Sequence, residues 1–392
     1  MRVARHARRW LCSQPSGTAT ELLGHGKSVA VNEFRHNLAT DEWVVFSAAR
    51  RNRPRQVQEH PKTGPRVSDA PSHSDACPFC RGNEHLTPKP TLVYPYSADS
   101  DWSLRIVPNK YPAVTLSTDR RDGPHDDMPR ESDTYQLGER VDALGFHEVV
   151  VETPMHNLPT ALAKPKQVEA LVRAFRMRSC AMMESDPTLR HIMYFKNSGT
   201  KAGASLLHPH SQIVGLPIVP AEVAHRQRHA REWYLRFQKN VFQHTLDTTA
   251  RQRDLGGSHR VVLEDDFFMC FVPYAALSPF SLWIVPKAPQ AHFHETSAAH
   301  LVAFAGMLRH ALRCLHFGLD EPDFNLVIRS AALETGANSV YRSELYFRWY
   351  CVIIPRLGVG AMGGFEFSTG IQSNSSFPED DAAFLRGLGP LD

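Results

Sequence analysis

The sequence predicts an α+β fold made of two similar halves, each an antiparallel sheet with one helix packed on it. Two observations predict it. A strand-helix-strand-strand order occurs twice along the 392 residues, and each copy contains one strongly amphipathic helix. The length suits two ordinary domains or one large domain of two related parts.

The first 32 residues read as a basic tail. Arg2, Arg5, Arg8 and Arg9 stand among Val3, Ala4, Ala7, Trp10 and Leu11, with no acid before Glu21. That bias resembles an organelle transit segment and also suits a disordered tail. Order begins near Glu33, because the turn-forming Thr40-Asp41 introduces the compact run Glu42-Trp43-Val44-Val45-Phe46. The stretches 52–74 and 117–131 are rich in turn and charged residues and read as exposed loops.

The first copy of the repeat starts with the strand-like run from His147 to Pro154. Pro165 then opens a helix on which Val168, Leu171, Val172 and Phe175 fall on one face. Ile192 to Asn197 is the next strand, and another ends at Pro217. The second copy runs in the same order. Phe280 to Lys287 is a strand; Ser297 caps a helix with Leu301, Phe304, Ala305 and Leu308 on one face and Gly318 past its end; Asp323 to Ile328 and a strand ending at Pro355 follow. Residues 221–260, rich in His, Arg and Gln, form a partly helical connector. The expected organisation is therefore a tail (1–32), a first domain (33–220), the connector and a second domain (261–392).

Lys and Arg number 44 against 41 acids, a net charge of +3, which supplies no field for a nucleic-acid or membrane partner. No apolar run is long enough to span a bilayer. Seven scattered cysteines with one close pair fit a reducing compartment rather than a disulfide framework, so a cytoplasmic location is expected, with organelle targeting by the Arg-rich start as the alternative.

That close pair, Cys77-Pro78-Phe79-Cys80, has the spacing of a zinc-binding loop, and its context is not the strand-to-helix turn of a redox dithiol. His156 and His208 are the histidines that complete a tetrahedral set. In the run from Leu207 to Val214, a strand would put His208, His210 and Gln212 on one face: a metal ligand, a free imidazole and an amide in a row. Ahead of it, Asn197-x-Gly199-x-x-x-Gly203-x-Ser205 is a loop whose backbone amides can approach phosphate oxygens, and no P-loop pattern occurs.

The run from Asn197 to Gln212 resembles the active-site signature of the galactose-1-phosphate uridylyltransferases, a branch of the histidine-triad superfamily, and the likeness extends from about Arg35 to the C-terminus. The resemblance implies two histidine-triad-like halves and His210 as a nucleophile that carries a nucleotide. It implies one structural zinc per chain held by Cys77, Cys80, His156 and His208. Arg50 and Arg53 in Ser47 to Pro54, Asn109 in Val107 to Pro112, and Ser205 and Gln212 resemble nucleotide- and phosphate-contacting residues, with Asn197, Gly199 and Gly203 in the loop; Glu366 resembles a sugar-hydroxyl ligand. Family members are commonly homodimers.

Aligning the copies on Pro217 and Pro355 puts Arg348 opposite His210, so the second copy is expected to supply pocket walls and no nucleophile; Arg348 and Tyr350 also stand where the family often has a second metal-binding H-x-H, so one metal per chain is expected. The reaction implied is nucleotidyl transfer between a nucleotide sugar and a sugar 1-phosphate or phosphate. His208-Pro209-His210 leans the reading toward uridylyl transfer to galactose 1-phosphate. Gly203-Ala204-Ser205, Phe280 to Lys287 and Phe377 to Asp380 resemble the plant ADP-glucose phosphorylase branch, which gives the alternative. A catalytically silent zinc scaffold and a nucleotide-sugar hydrolase complete the set of readings.

Overall fold

A computed structural model of the chain describes residues 32–47, 66–95, 102–116, 142–333, 342–357 and 363–389. The Arg-rich tail, Arg50, Arg53 and the whole 117–131 stretch lie outside the described residues.

The strands are β1 (Glu33–Asn37), β2 (Glu42–Phe46), β3 (Leu92–Pro95), β4 (Trp102–Pro108), β5 (Phe146–Val151), β6 (His191–Ser198) and β7 (His210–Leu216). They continue as β8 (Val261–Glu264), β9 (Phe268–Phe271), β10 (Leu282–Pro286), β11 (Phe324–Arg329), β12 (Tyr350–Pro355) and β13 (Gln372–Asn374). Six described helices accompany them: α1 (Pro165–Ser185), α2 (Ala221–Phe237), α3 (Val241–Asp254), α4 (Ala298–Gly318), α5 (Gly364–Thr369) and α6 (Pro378–Arg386).

Ten strands form one sheet in the order β3-β4-β5-β7-β6-β11-β12-β10-β9-β8. Every pairing in it is antiparallel. The order reads the same from both edges when β3 to β7 are exchanged for β8 to β12, so the repeat in the sequence is a repeat in space. The halves are not separate sheets. They are joined where Phe324 to Ile328 of β11 pair with Ser198 to Tyr194 of β6. A second, three-stranded sheet joins β1 and β2 to β13 near the other end of the chain.

The two amphipathic helices form as their sequences dictate. Pro165 occupies the first turn of α1, where its missing N–H costs nothing, and Val168, Leu171, Val172, Phe175 and Met182 are buried. The Ser297 side chain caps α4 by accepting from the His300 N–H, and Gly318 is the last helical residue rather than the one after it. Both helices lie on one face of the sheet and pack on each other, enclosing Ile106, Val150, Ile213, Ile284, Ile328 and Ile353. None of the described helices is long and apolar enough to cross a membrane.

The opposite face is covered differently in the two halves. Over β9, β10 and β12 it is sealed by α2 and α3, whose Ala230, Val241, Phe242 and Leu246 pack on Phe271, Trp283, Tyr350 and Val352. Asn240 starts α3 by accepting from the N–H groups of Phe242 and Gln243. Over β4 and β5 the cover is the Cys77–Cys80 loop, which packs on Trp102, Val107, Val149 and Val151.

Candidate active site and metal centre

β7 begins at His210, and His208 belongs to the loop before it. The expected row of three is therefore corrected. His210 and Gln212 share a face of the strand, whereas His208, ahead of it, turns its ring to the Cys80 thiol. Pro209 has no N–H to give to the ladder, although its carbonyl still accepts from the Glu152 N–H.

Cys77, Cys80, His156 and His208 converge, with one ligand atom from each lying within 4.8 Å of all the others and every residue buried. The Cys80 Sγ is 3.4 Å from His156 Nδ1 and 3.6 Å from His208 Nδ1. His208 Nε2 donates to the Thr153 carbonyl at 2.7 Å, so its Nδ1 is left unprotonated toward the sulfurs, as a metal-ligating imidazole requires. Burial pushes His208 down to about 4 and the Cys80 thiol up to about 11. Neutral imidazoles beside thiols reluctant to ionise form a set that a divalent cation completes, by drawing off the thiol protons.

His210 is buried, and its Nδ1 donates to the His208 carbonyl at 2.8 Å. Its Nε2 therefore carries the lone pair. Burial lowers its proton affinity, and Lys196 adds to this against the opposing His208 carbonyl and Glu152, so the ring stays neutral and nucleophilic. The Phe79 ring, held between the two cysteines, lies 5.3 Å from the His210 ring. The Cys77–Cys80 loop thus forms one wall of the site around His210.

Behind His210 is a buried ion pair. Lys196 Nζ lies 2.8 Å from Glu152 Oε1 and 3.3 Å from the His210 carbonyl, to which it also donates. Ser211 Oγ donates to the same carboxylate oxygen and Thr160 Oγ1 to the other at 2.6 Å. Burial alone would raise the Glu152 carboxyl, but Lys196 and the two hydroxyls hold it below its usual value. The pair was signalled in the sequence by a charge at the end of Val149-Val150-Val151-Glu152 and another within Tyr194-Phe195-Lys196.

The loop after β6 is anchored from the second half. Asn325 Nδ2 donates to Asn197 Oδ1 and to the Ala202 carbonyl, both at 2.8 Å, and Arg356 Nε donates to Asn325 Oδ1 at 2.5 Å. Gly199, at φ +83°, has no room for a side chain: a Cβ would stand 2.0 Å from Asp323 Oδ1. Asp323 in turn accepts from the Lys201 N–H at 2.7 Å. Gly203 is left-handed, and Ser205 is exposed on the approach to His208.

Further along the same sheet face, Gln212 Oε1 is 2.7 Å from His147 Nε2, and the Asn109 amide nitrogen is 3.0 Å from that same ring nitrogen. His147 Nδ1 accepts from the Ala113 N–H at 2.9 Å. Asn109 and Gln212, distant in sequence, are thus brought to one ring, that of His147. The sequence reading missed that residue, although period two from Val151 through Val149 places it on the site face.

A cleft at His210 is lined by Thr160, Lys196, Asn197, Gly199 and His208 from the first half, and by Leu312, Leu315, His316 and Phe324 from the second. Glu366, in the short α5, is not among the described residues lining it. Arg348 donates to the Pro286 carbonyl at 2.7 Å, and also to the Lys287 carbonyl and Gln243, a purely structural set of partners.

Residues 25–220 match the sequence model of the galactose-1-phosphate uridyl transferase N-terminal domain. An ADP-glucose phosphorylase of Arabidopsis thaliana is 32% identical over 377 residues, covering 95% of this chain and 98% of that protein. The chain belongs to the galactose-1-phosphate uridyl transferase family, a family of nucleotidyltransferases. Within it, the galactose-1-phosphate uridylyltransferase of Thermotoga maritima is 29% identical over 71% of this chain and 73% of its own. The crystal structure of an Arabidopsis thaliana ADP-glucose phosphorylase with bound ADP-glucose superposes with a TM-score of 0.74 at 29% identity, over 92% of this chain and all of that one.

Proposed function

We propose that this family member is an ADP-glucose phosphorylase that passes adenylate through His210 to inorganic phosphate. The observation that carries the reading is likeness along the whole length. The phosphorylase relative matches 95% of this chain, whereas the Thermotoga maritima uridylyltransferase matches 71%. Uridylyl transfer to galactose 1-phosphate is the second reading, favoured by the run His208-Pro209-His210.

In the first half-reaction the Nε2 lone pair of His210 attacks the α-phosphorus of ADP-glucose, and the bond from that phosphorus to the bridging oxygen breaks. Glucose 1-phosphate leaves with the electron pair. In the second, a phosphate oxygen attacks the same phosphorus, the P–N bond breaks, ADP departs and the imidazole is restored. In this reading Gln212 and Ser205 donate to the equatorial oxygens, where charge accumulates, while the loop from Gly199 to Gly203, whose Lys201, Ala202 and Gly203 N–H groups are bonded to Asp323 or within the loop, shapes the approach to His210. The His208 carbonyl holds Nδ1–H and stabilises the positive charge that builds on the ring. Lys196 fixes the His210 backbone from behind.

Zinc suits the set Cys77, Cys80, His156 and His208. Four protein ligands leave no open position, so the ion would brace the loop that carries Phe79.

The test is incubation of the protein with ADP-glucose or UDP-glucose, each with phosphate or galactose 1-phosphate. Sustained formation of ADP and glucose 1-phosphate from ADP-glucose only when phosphate is present, with at most a stoichiometric release of glucose 1-phosphate in its absence, is the expected result. Turnover confined to UDP-glucose and galactose 1-phosphate transfers the assignment to the second reading. Steady release of nucleotide monophosphate into water makes the protein a hydrolase.

A further inference from the structure

We infer that His147 is a positioning residue whose neutral Nε2–H tautomer fixes the Gln212 carboxamide with its N–H groups available to substrate. The inference deepens the proposed function and rests on it for the identity of that substrate.

Two contacts decide the tautomer. The Ala113 backbone N–H points at His147 Nδ1 from 2.9 Å, and a backbone amide can only donate. Nδ1 is therefore the lone-pair nitrogen, and the proton of the neutral ring sits on Nε2. Nε2 lies 2.7 Å from Gln212 Oε1, so the ring donates and the carboxamide oxygen accepts. A Gln212 turned the other way would set its NH2 against a ring N–H. The tautomer thus resolves the amide orientation, which coordinates alone leave ambiguous.

Asn109 is fixed by a separate bond. Its Oδ1 accepts from the Tyr111 N–H at 2.9 Å, which turns its NH2 toward the same ring. With the Nε2 proton committed to Gln212, the 3.0 Å approach of Asn109 Nδ2 to Nε2 is a contact between two donors and not a hydrogen bond. Two carboxamide NH2 groups consequently border one locked imidazole on the sheet face that also bears His210. Such a surface receives acceptor oxygens, and a nucleotide phosphate is a ligand that offers only acceptors. His147 acts through Gln212. It would not touch the reacting phosphorus.

The first arm of the test is 15N NMR of the histidine side chains, with His147→Gln used to assign the His147 signals. The expected pattern is an unprotonated Nδ1 and a protonated Nε2, and the reverse tautomer or an imidazolium overturns the inference. This arm needs no substrate, so it stands or falls separately from the phosphorylase reading.

The second arm is a double-mutant cycle on transfer from ADP-glucose. His147→Leu should lower kcat by about tenfold to a hundredfold with little change in KM, and should cause no further loss in a Gln212→Ala background. His147→Gln, whose side-chain amide can donate from nearly the same place, should recover most of the rate. Equal losses from His147→Leu in both backgrounds would mean that His147 acts independently of Gln212, which refutes the inference. Zinc content and thermal midpoint are measured on each variant, so that a misfolded protein is not counted as a slow one.

Discussion

The two halves of the ten-stranded sheet share a strand order and a helix-covered face, and they differ in what lies on the other face. In the first half that face holds His210 and Gln212 beneath a loop pinned by two cysteines and two histidines. In the second, α2 and α3 seal it with aromatic and aliphatic side chains around Trp283 and Tyr350. The interior differs in parallel. Lys196 and Ser211 of the first half both meet Glu152, whereas Ile328 and Cys351, paired across the second half's ladder, stand in the corresponding places. Beside His210 one copy buries an ion pair, whereas the corresponding ladder positions of the other are apolar.

The sharpest way to break this contrast is to remove the reactive group from one half and its counterpart from the other. Tyr350 opens β12 as His210 opens β7, so Tyr350, rather than the Arg348 expected from the proline alignment, is the counterpart. His210→Gly should abolish transfer, lowering kcat by roughly four orders of magnitude or more, with zinc still bound. Tyr350→Phe should leave kcat within a few-fold. It costs about 1 kcal/mol of stability through the lost bond from Arg329 to the phenol oxygen. Rapid-quench labelling with α-32P nucleotide sugar checks both. Covalent label on the His210→Gly variant would place the nucleophile elsewhere.

The metal loop should give the next largest effect. One zinc per chain is expected by elemental analysis, and the Cys77→Ala, Cys80→Ala double variant should contain none. Without it the loop loses its anchor to His156 and His208, and Phe79 is freed from the His210 ring. Transfer should then fall at least a hundredfold, while the second half's core, which has no part in the cluster, keeps its hydrogen-exchange protection. Two metals per chain, or zinc retained in the variant, would contradict the asymmetry.

How much of this was legible beforehand follows from the range of each signal. Helices α1 and α4 announced themselves through apolar residues three and four apart, and the Cys77–Cys80 pair with the His208–His210 run through residue types whose chemistry is specific at short spacing. The repeat showed two related halves, but not that β6 and β11 would join them into one sheet. What stayed hidden depends on contacts between distant segments. Nothing local to residues 221–254 says that two helices will cover Tyr350, and nothing near Gln372 says that it joins β2. The strand pattern runs back through His208, yet its contacts with Cys80 and the Thr153 carbonyl hold it outside the strand. His147 was read as the start of a strand, since its partners Asn109, Ala113 and Gln212 come together only in the fold.

The buried pair offers a test of what the first half gives up. Lys196→Met leaves the Glu152 carboxylate buried beside Ser211 and Thr160 without a counter-charge, which should destabilise the protein by about 3–5 kcal/mol. Adding Glu152→Leu, which removes the stranded charge, should recover much of that loss, because the corresponding site in the second half is already apolar. Denaturant midpoints read the stability and phosphorolysis reads the function. If the doubly apolar variant is stable and fully active, the ion pair has no role in holding His210.

The smallest effect expected comes from a residue of the quiet half that reaches into the active one. Asn325 of β11 donates both amide hydrogens across the junction, to Asn197 Oδ1 and the Ala202 carbonyl, while its oxygen accepts from Arg356. Asn325→Asp keeps the shape and the bond from Arg356. It replaces two donors with an oxygen facing two oxygens, so Asn197 and the loop lose their tether. Each neutral hydrogen bond is worth about 1 kcal/mol and two are lost, and tenfold in rate corresponds to about 1.4 kcal/mol, so kcat/KM should fall about thirtyfold. The loss should appear in both half-reactions, because the loop from Gly199 to Gly203 borders the same phosphorus in each. Asn325→Ala, which lacks the repulsive oxygen, should fall less. An Asn325→Asp variant with unchanged kinetics would reduce the second half to a support for the sheet; a loss confined to one half-reaction would mean that Asn325 serves a departing or incoming group rather than the shared nucleotide loop.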